Sequence, residues 1–272
     1  MAVFREVHRI LKDDGTLWLN LGDSYAGSGR GSNPYGKQGT NRGTSFDPQT
    51  SGATYGLKAK DLIGIPWRVA FALQADGWWL RQDIILSKPN PMPESVTDRC
   101  TKAHEYIFML SKSAKYFYDA KAIAEDAVYA GLTGQDASGF KDAKKFNGKH
   151  SDKQRGHSRR HAGFNDRWDA MSKEEQGSGK RNKRSVWTVA TRPFKEAHFA
   201  TFPHDLIEPC ILAGCREGGT VLDPFGGAGT TGLVADRLQR NAILCELNGD
   251  YSDIATKRIK DDSTPLFEQV RG

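Results

Sequence analysis

The sequence contains no long apolar run, and this absence excludes a helix that spans a membrane. Such a helix needs about 20 consecutive apolar residues, and no run of that length occurs among the 272 residues of the chain. The chain also opens without the apolar segment of a cleavable signal peptide. We therefore expect a cytoplasmic protein that has no membrane partner.

Cysteine is equally scarce, with residues at Cys100, Cys210, Cys215 and Cys245 only. No two of them form the Cys-x-x-Cys spacing of a zinc site, and no histidine cluster accompanies them. A disulfide framework needs a denser set of cysteines. The sequence therefore predicts no bound metal and no disulfide.

What the sequence does contain is an alternation of strand and helix patterns. Apolar runs bounded by turn residues predict strands at 16–21, 78–86, 105–110, 116–118, 220–222 and 242–245. Helical periodicity predicts helices before Asp14 and at 66–74, 205–213, 230–238 and 250–260. This order is typical of an α/β domain with a mostly parallel sheet, in which 105–110 and 116–118 pair as an antiparallel edge.

A glycine-rich bend at residues 223–231 is the most informative motif. It reads Asp-Pro-Phe-Gly-Gly-Ala-Gly-Thr-Thr, follows a short apolar strand and leads into an amphipathic helix. Glycines let the backbone approach a ligand closely, and N–H groups at a helix start can donate to it. The next strand ends in Glu246, a carboxylate placed to accept both hydroxyls of a ribose. The pair predicts a site for a nucleoside-bearing cofactor.

Two classes of cofactor fit this pattern. Residues 227–232 also satisfy the Gly-x-Gly-x-x-Gly fingerprint of dinucleotide sites, which predicts an NAD-dependent oxidoreductase. However, Asp223 would repel a pyrophosphate, and only 26 residues follow Glu246, too few for the rest of a dinucleotide domain. A carboxylate at position 223 favours a cationic ligand instead.

The bend and the Glu246-Leu247-Asn248 string resemble the S-adenosylmethionine site of the DNA methyltransferases that modify the exocyclic amino group of adenine or cytosine. Blocks at 15–25, 88–95, 104–110 and 198–203 are similar to the same family. Because the cofactor motif follows these blocks, their order is that of the circularly permuted beta subgroup. The resemblance implies a Rossmann-like S-adenosylmethionine-dependent methyltransferase fold.

The resemblance also implies roles for individual residues. Asp223 would face the methionine ammonium of S-adenosylmethionine, and Glu246 would hold the ribose. The implied cofactor-binding residues are Thr201, Phe202, Pro203, Asp223, Phe225, Gly226, Gly227, Gly229, Thr230, Thr231 and Glu246.

One block of this family is missing from the sequence. Members carry a catalytic tetrapeptide of Asp, Asn or Ser, then Pro-Pro, then Tyr or Phe, and this chain contains no Pro-Pro pair. The nearest string, Ser32-Asn33-Pro34-Tyr35, has one proline and lies in a glycine-rich stretch. Because Met1 already lies in a predicted helix, we expect a chain truncated before the tetrapeptide. It would then lack the central catalytic-motif strand and all catalytic residues, and it would be inactive alone.

Positive charge is concentrated between Lys141 and Lys195. This stretch has 16 lysines and arginines against 6 acidic residues, whereas the whole chain carries a net charge of +6. Such a segment is typical of phosphate contact and target recognition, although a solvated loop has a similar composition. The residues predicted to contact DNA are Arg155, Arg159, Arg160, Lys180, Arg181, Lys183 and Arg184.

These features divide the chain into three parts. Residues 1–126 are the predicted catalytic-region half of a methyltransferase domain, 127–197 a basic target-recognition insert and 198–272 the cofactor-binding half. The predicted function is site-specific methylation of double-stranded DNA at adenine N6 or cytosine N4, as in restriction-modification systems. The alternative is a non-catalytic fragment that binds S-adenosylmethionine and DNA, or half of a split methyltransferase. A second copy, a complementing chain and a cognate restriction endonuclease are the further candidate partners.

Overall fold

The computed structural model describes residues 1–26, 56–58, 60–126, 180–190 and 202–263. The helices in this part of the chain are α1 (Ala2–Ile10), α2 (Ile65–Ala75), α3 (His204–Gly214), α4 (Thr230–Arg237) and α5 (Gly249–Ser263). Its strands are β1 (Thr16–Leu21), β2 (Trp79–Ser87), β3 (His104–Ser111), β4 (Glu125–Asp126), β5 (Lys180–Arg181), β6 (Val186–Thr188), β7 (Thr220–Asp223) and β8 (Asn241–Leu244). Within these ranges, no helix is long and apolar enough to cross a membrane.

The chain divides into two compact units. One unit comprises Met1–Asp119 and Arg184–Gly272, and the other comprises Ala120–Lys183. The described part of the second unit contains an antiparallel ladder of β4 and β5, in which Glu125 lies opposite Arg181. All the other helices and strands belong to the first unit, which also contains the predicted cofactor motif.

The larger sheet of the first unit has the strand order β1-β3-β2-β6. β3 runs antiparallel to both β1 and β2, whereas β6 runs parallel to β2. The connection from β2 to β3 contains no crossover helix, which suits an antiparallel pair. The sheet is therefore mixed, and its antiparallel part is larger than the single edge that the sequence predicted.

The strand predicted at 116–118 is wrong. The Phe117 N–H donates to the Asp14 carbonyl and the Asp119 N–H donates to the Ala213 carbonyl, each at 2.9 Å. Both edges of β3, the predicted partner, are already occupied by β1 and β2. Single hydrogen bonds to neighbouring turns therefore fix this segment, and no ladder forms.

The second sheet pairs β7 with β8 in parallel, from Thr220 opposite Asn241 to Asp223 opposite Leu244. α4 connects the two strands, and its buried residues pack with Ile211 of α3. Because the strands are parallel, their carboxyl ends lie at one edge of the sheet. This β7-α4-β8 unit therefore brings Asp223 near the residues that follow β8.

β1 and β7 share a core, yet each has only one hydrogen-bonded neighbour among the described strands. Leu17 and Leu19 of β1 and Leu222 of β7 pack against the same buried cluster, which includes Phe108. β1 pairs with β3 alone, and β7 pairs with β8 alone. No residue of β1 or β7 is fully buried, whereas residues 107–111 of β3 are. β1 and β7 thus have the apolar composition of inner strands, yet among the described strands one edge of each is unpaired.

Candidate cofactor site

The carboxylate of Asp223 shapes the bend after β7. Its Oδ1 accepts a hydrogen bond from the Phe225 N–H at 2.9 Å, and its Oδ2 accepts one from the Thr231 hydroxyl at 2.5 Å. A carboxylate oxygen can accept more than one hydrogen bond, and Asp223 is only half-buried. The protein therefore orients this carboxylate and leaves it able to bind a cationic ligand.

Two glycines in the bend adopt backbone angles that other residues rarely reach. The φ angle is +50° at Gly227 and +76° at Gly229, both in the left-handed region. In addition, a Cβ atom on Gly229 would lie 2.6 Å from the Cβ of Ala255 in α5. Position 229 therefore requires glycine for its conformation and for space.

Glu246, just after β8, ties the bend to the neighbouring strand. Its Oε2 accepts from the Gly227 N–H and its Oε1 from the Asn248 N–H, each at 2.8 Å. The hydrogen bonds from these backbone N–H groups lower the pKa of the Glu246 carboxyl below its usual value, and the one from Asn248 has the larger effect. The carboxylate is therefore ionised at neutral pH and can accept hydrogen bonds from ribose hydroxyls.

The structure thus brings the two predicted carboxylates together at the edge formed by the ends of β7 and β8. The Gly226 N–H donates to the Cys245 carbonyl at 2.8 Å, which joins the bend to β8 directly. Phe225 is 63% exposed, and Leu247, which the sequence did not single out for binding, is fully exposed. Two uncovered apolar side chains at these positions suit a partly apolar ligand such as a purine.

Thr230 and Thr231, at the start of α4, are both buried. The hydroxyl of Thr231 is bound to Asp223, and the hydroxyl oxygen of Thr230 lies 3.5 Å from Nη1 of Arg258. Sequence reasoning missed Arg258, because an arginine on a helix 28 residues from Thr230 has no local pattern that marks it as a site residue. The contacts of both threonines in this structure are with protein groups.

Several predicted site residues lie elsewhere or outside the described part. Phe202 packs against a buried cluster that includes Leu206, and Pro203 is the residue before the first turn of α3. Thr201, Arg155, Arg159, Arg160 and the string Ser32-Asn33-Pro34-Tyr35 lie outside the described residues. Their assigned roles remain predictions.

The blocks around β1 and after β2 belong to the larger sheet of the first unit. The end of α3 contacts the start of β1, where Arg216 pairs with Asp14 at 2.8 Å. β2 is parallel to β1, because both are antiparallel to β3. The residues after β1 and after β2 consequently lie at the same edge of the larger sheet.

Asp23, in the block after β1, has a structural role. Its Oδ1 accepts hydrogen bonds from the Ser24 N–H and from the Ile65 N–H, each at 2.9 Å. Ile65 is the first residue of α2, so Asp23 satisfies a free N–H group of that helix.

Charged contacts join the block after β1 to the block after β2. The Arg99 guanidinium lies 4.0 Å from the ring centroid of Tyr25 and donates to Glu94 at 2.5 Å. Lys88 forms an ion pair with Glu105. These contacts constrain the proline-rich loop at 88–95, in which Met92 is 87% exposed.

The described basic residues of the insert include two in the β4-β5 ladder. Lys180 donates to Asp126 at 2.5 Å, and Arg181 donates to Glu125 at 2.9 Å. The Lys180 ammonium lowers the pKa of the Asp126 carboxyl. Acidic neighbours therefore partly neutralise these two positive charges, which a count of charges along the sequence does not reveal.

The chain matches known DNA-modifying proteins over most of its length. A family model described as DNA methylase matches residues 1–257. The chain is 43% identical to the type II methyltransferase M.Cfr9I of Citrobacter freundii over 98% of this chain and 72% of that protein. It is 44% identical to the type II methyltransferase M.SmaI of Serratia marcescens over 94% of this chain and 71% of that protein.

Solved structures share the fold at lower identity. The cytosine-N4-specific PvuII DNA methyltransferase aligns with a TM-score of 0.57 and 17% identity, over 96% of this chain and 73% of the other. A putative DNA modification methylase of Thermus thermophilus, complexed with S-adenosyl-L-methionine, aligns with a TM-score of 0.54 and 20% identity, over 97% and 76%. These likenesses confirm the predicted Rossmann-like α/β fold class.

Proposed function

The chain belongs to the N6/N4 family of DNA methylases, and from this premise we propose that it binds S-adenosylmethionine in the bend between β7 and α4. Its substrate is double-stranded DNA. The acceptor of the methyl group is the exocyclic amino group of adenine (N6) or of cytosine (N4) at a specific sequence. The basic stretch at 141–195 contacts the phosphates.

The placement of Asp223 and Glu246 around one bend supports this cofactor. A cationic ammonium suits Asp223, whose carboxylate is oriented by the Phe225 N–H and the Thr231 hydroxyl. Ribose hydroxyls suit Glu246, which is ionised and oriented by backbone N–H groups. S-adenosylmethionine presents an ammonium at one end and a ribose nearer the other. NAD would instead bring a pyrophosphate beside Asp223, and the two would repel each other.

The chemistry defines what else the site needs. The bond from the methyl carbon to the sulfonium sulfur breaks as the amino nitrogen bonds to that carbon, and the nitrogen then loses a proton. The nitrogen lone pair is delocalised into the base ring, so acceptors beside the NH₂ group have to orient it. The target nucleotide also has to leave the duplex stack to reach the cofactor.

We further propose that this chain alone binds the cofactor and DNA without transferring the methyl group. The sequence has no Pro-Pro pair, and therefore none of the tetrapeptide that supplies the acceptors in related enzymes. In the described residues, β1 and β7 pack against the same core, and each pairs with one strand. A strand between them that ends in the tetrapeptide would place the acceptors beside the bend.

Calorimetry paired with a label-transfer assay tests both proposals. The chain is expected to bind S-adenosylmethionine, not to bind NADH, and to transfer no label to plasmid DNA. A strand carrying the tetrapeptide, fused upstream or added as a second chain, is expected to restore transfer, and mass spectrometry of the nucleosides then identifies the methylated base. Absence of S-adenosylmethionine binding would overturn the cofactor site, and transfer by the chain alone would overturn the need for the strand.

A further inference from the structure

Arg258 of α5 contacts the glycine-rich bend directly. Its Nη1 donates to the carbonyl oxygen of Ala228 and lies 3.5 Å from the hydroxyl oxygen of Thr230. Ala228 is 8% exposed and Thr230 is 4% exposed, so water has little access to either residue. A buried carbonyl needs a donor, because leaving it unpaired is unfavourable. Arg258 therefore satisfies a polar group that the bend itself leaves unpaired.

The Ala228 carbonyl belongs to the tightest part of the bend. The N–H of the same peptide group, at Gly229, donates to the Gly226 carbonyl at 2.9 Å. The adjacent Gly227 N–H donates to Glu246 at 2.8 Å. Since a peptide group is planar, bonds at both its C=O and its N–H fix its orientation. Arg258 thus completes a set of hydrogen bonds that includes the proposed ribose-binding carboxylate.

The same face of α5 packs along the bend and the start of α4. Ala255, Arg258 and Ile259 are spaced so that they lie on one face of the helix. A Cβ on Gly229 would meet Ala255, and one on Gly232 would meet Ile259, so helix and bend are in close contact. Arg237 of α4 donates to both carboxylate oxygens of Asp262 in α5, at 2.7 and 2.5 Å. α5 is therefore a fixed support from which Arg258 reaches the bend.

We propose that Arg258 is a positioning residue for cofactor binding, which holds the Ala228–Gly229 peptide in the orientation that the ligand needs. The inference rests on the proposed S-adenosylmethionine site and assigns Arg258 a contact with the bend. Without the guanidinium, the bend has to be ordered when the ligand binds, and this lowers affinity. The guanidinium has several donors in a rigid, planar arrangement, whereas a lysine ammonium is a compact group on a flexible stem. Lysine should therefore replace arginine only in part.

Three variants test the role of Arg258. Arg258→Met keeps an unbranched apolar stem and removes the donors, Arg258→Lys keeps the charge, and Lys257→Met removes the same charge at the neighbouring exposed position of α5. Calorimetry with S-adenosylmethionine is expected to give at least about tenfold weaker binding for Arg258→Met, intermediate binding for Arg258→Lys and wild-type binding for Lys257→Met. Hydrogen exchange should accelerate at residues 226–231 in Arg258→Met and remain unchanged in β3.

The outcomes separate this inference from the proposed function. If the wild-type chain fails to bind S-adenosylmethionine, the cofactor site itself is wrong. If the wild type binds and both Arg258 variants bind equally well, with unchanged exchange in the bend, the positioning role is overturned. Should Arg258→Met fail to fold, Arg258→Lys decides: weaker binding than wild type supports the role, and wild-type affinity overturns it.

Discussion

Each of the two carboxylates in the proposed site has a structural role in the bend, in addition to its proposed role in binding the ligand. Asp223 and Glu246 accept hydrogen bonds from the bend, and these bonds fix the direction of each carboxylate before a ligand arrives. A preorganised acceptor binds more tightly than one that must be ordered on binding. The consequence is that cofactor affinity depends on single atoms of these side chains.

The charge of Asp223 can be removed with little change of shape. In Asp223→Asn the amide oxygen still accepts from the Phe225 N–H, so the bend should persist. We expect S-adenosylmethionine to bind at least about tenfold more weakly, because a hydrogen bond to a charged group contributes about 1.5–3 kcal/mol. Calorimetry measures the loss. The control ligand is 5′-methylthioadenosine, which has no ammonium and should bind both proteins alike. An equal loss for both ligands would contradict contact between Asp223 and the ammonium.

The protonation of Glu246 predicts how affinity depends on pH. Backbone donors lower the pKa of this carboxyl. The stabilisation that the ionised carboxylate gives the bend is therefore fully present above the ordinary glutamate pKa of about 4.3, and it is lost only as the pH falls through the lowered pKa. S-adenosylmethionine affinity should therefore stay constant as the pH falls from about 7 to about 5, a range in which the ligand ammonium also keeps its charge. Glu246→Gln, which has one acceptor oxygen, should bind more weakly throughout that range. A fall in wild-type affinity near neutral pH, measured by calorimetry, would contradict this account of Glu246.

Sequence reasoning found Asp223 and Glu246 because both belong to a local pattern of strand, glycines and strand end. It missed Arg258, whose contact with Ala228 spans 30 residues and depends on how α5 packs. The ion pairs of Lys180 and Arg181 were also missed, since their partners lie more than 50 residues away. A local sequence motif does not reveal contacts between segments that are distant in the chain.

At the scale of elements, the bend is confined between β8 and α5. Gly226 bonds to Cys245 just after β8, and Gly229 lies against Ala255 of α5. Packing against Ala255 leaves no room for a side chain at position 229. The stability of the β7-α4-β8 unit should therefore be sensitive to a single methyl group at this point.

Gly229→Ala is expected to destabilise the protein by about 2 to 4 kcal/mol, through left-handed backbone strain and overpacking against Ala255. Urea unfolding measures the change. Gly249→Ala is the matched control, because a Cβ there meets nothing within 4 Å and the substitution should be neutral or slightly stabilising. Similar unfolding midpoints for the two variants would show that α5 does not pack on the bend as described.

Most elements were predictable because their apolar periodicity is strong. The strands predicted at 16–21, 105–110 and 242–245 lie within one residue of β1, β3 and β8. The segment at 116–118 has a strand-like composition, yet β3 has no edge left to receive it. The wide antiparallel part of the sheet was also missed, because strand order is decided by tertiary pairing and not by composition.

At the scale of the whole molecule, the distribution of charge predicts which part of the chain contacts DNA. The stretch at 141–195 concentrates the positive charge, but Lys180 and Arg181 are paired with Asp126 and Glu125. A basic residue that already forms an ion pair releases fewer counterions when it contacts a phosphate. Lys180 and Arg181 should therefore each contribute less to DNA binding than a full phosphate contact does.

Substitution of Arg155, Arg159 and Arg160 by glutamine is expected to weaken duplex DNA binding and to reduce the slope of log affinity against log salt by up to about three. The double variant Lys180→Gln, Arg181→Gln should reduce the slope by less than about two, because Asp126 and Glu125 already neutralise part of each charge. Fluorescence anisotropy at several salt concentrations measures both. A reduction by about two or more in the double variant would contradict the neutralising role of the β4-β5 ion pairs.

The unpaired edges of β1 and β7 are the feature of the fold that bears on the proposed lack of activity. Both strands pack on one core and each lacks a second neighbour among the described strands. The proposed need for a further strand follows from these edges and from the absence of a Pro-Pro pair in the sequence. The carboxylates proposed to bind the cofactor, in contrast, both belong to the β7-α4-β8 unit and the residues that follow it.

A crystal structure of the chain with S-adenosylhomocysteine is the most direct measurement of the cofactor site. The ligand ammonium is expected within about 3 Å of an Asp223 carboxylate oxygen, and the ribose hydroxyls within the same distance of Glu246. A ligand found at any other place in the molecule, or a bend that binds it with these two carboxylates turned away, would contradict the account.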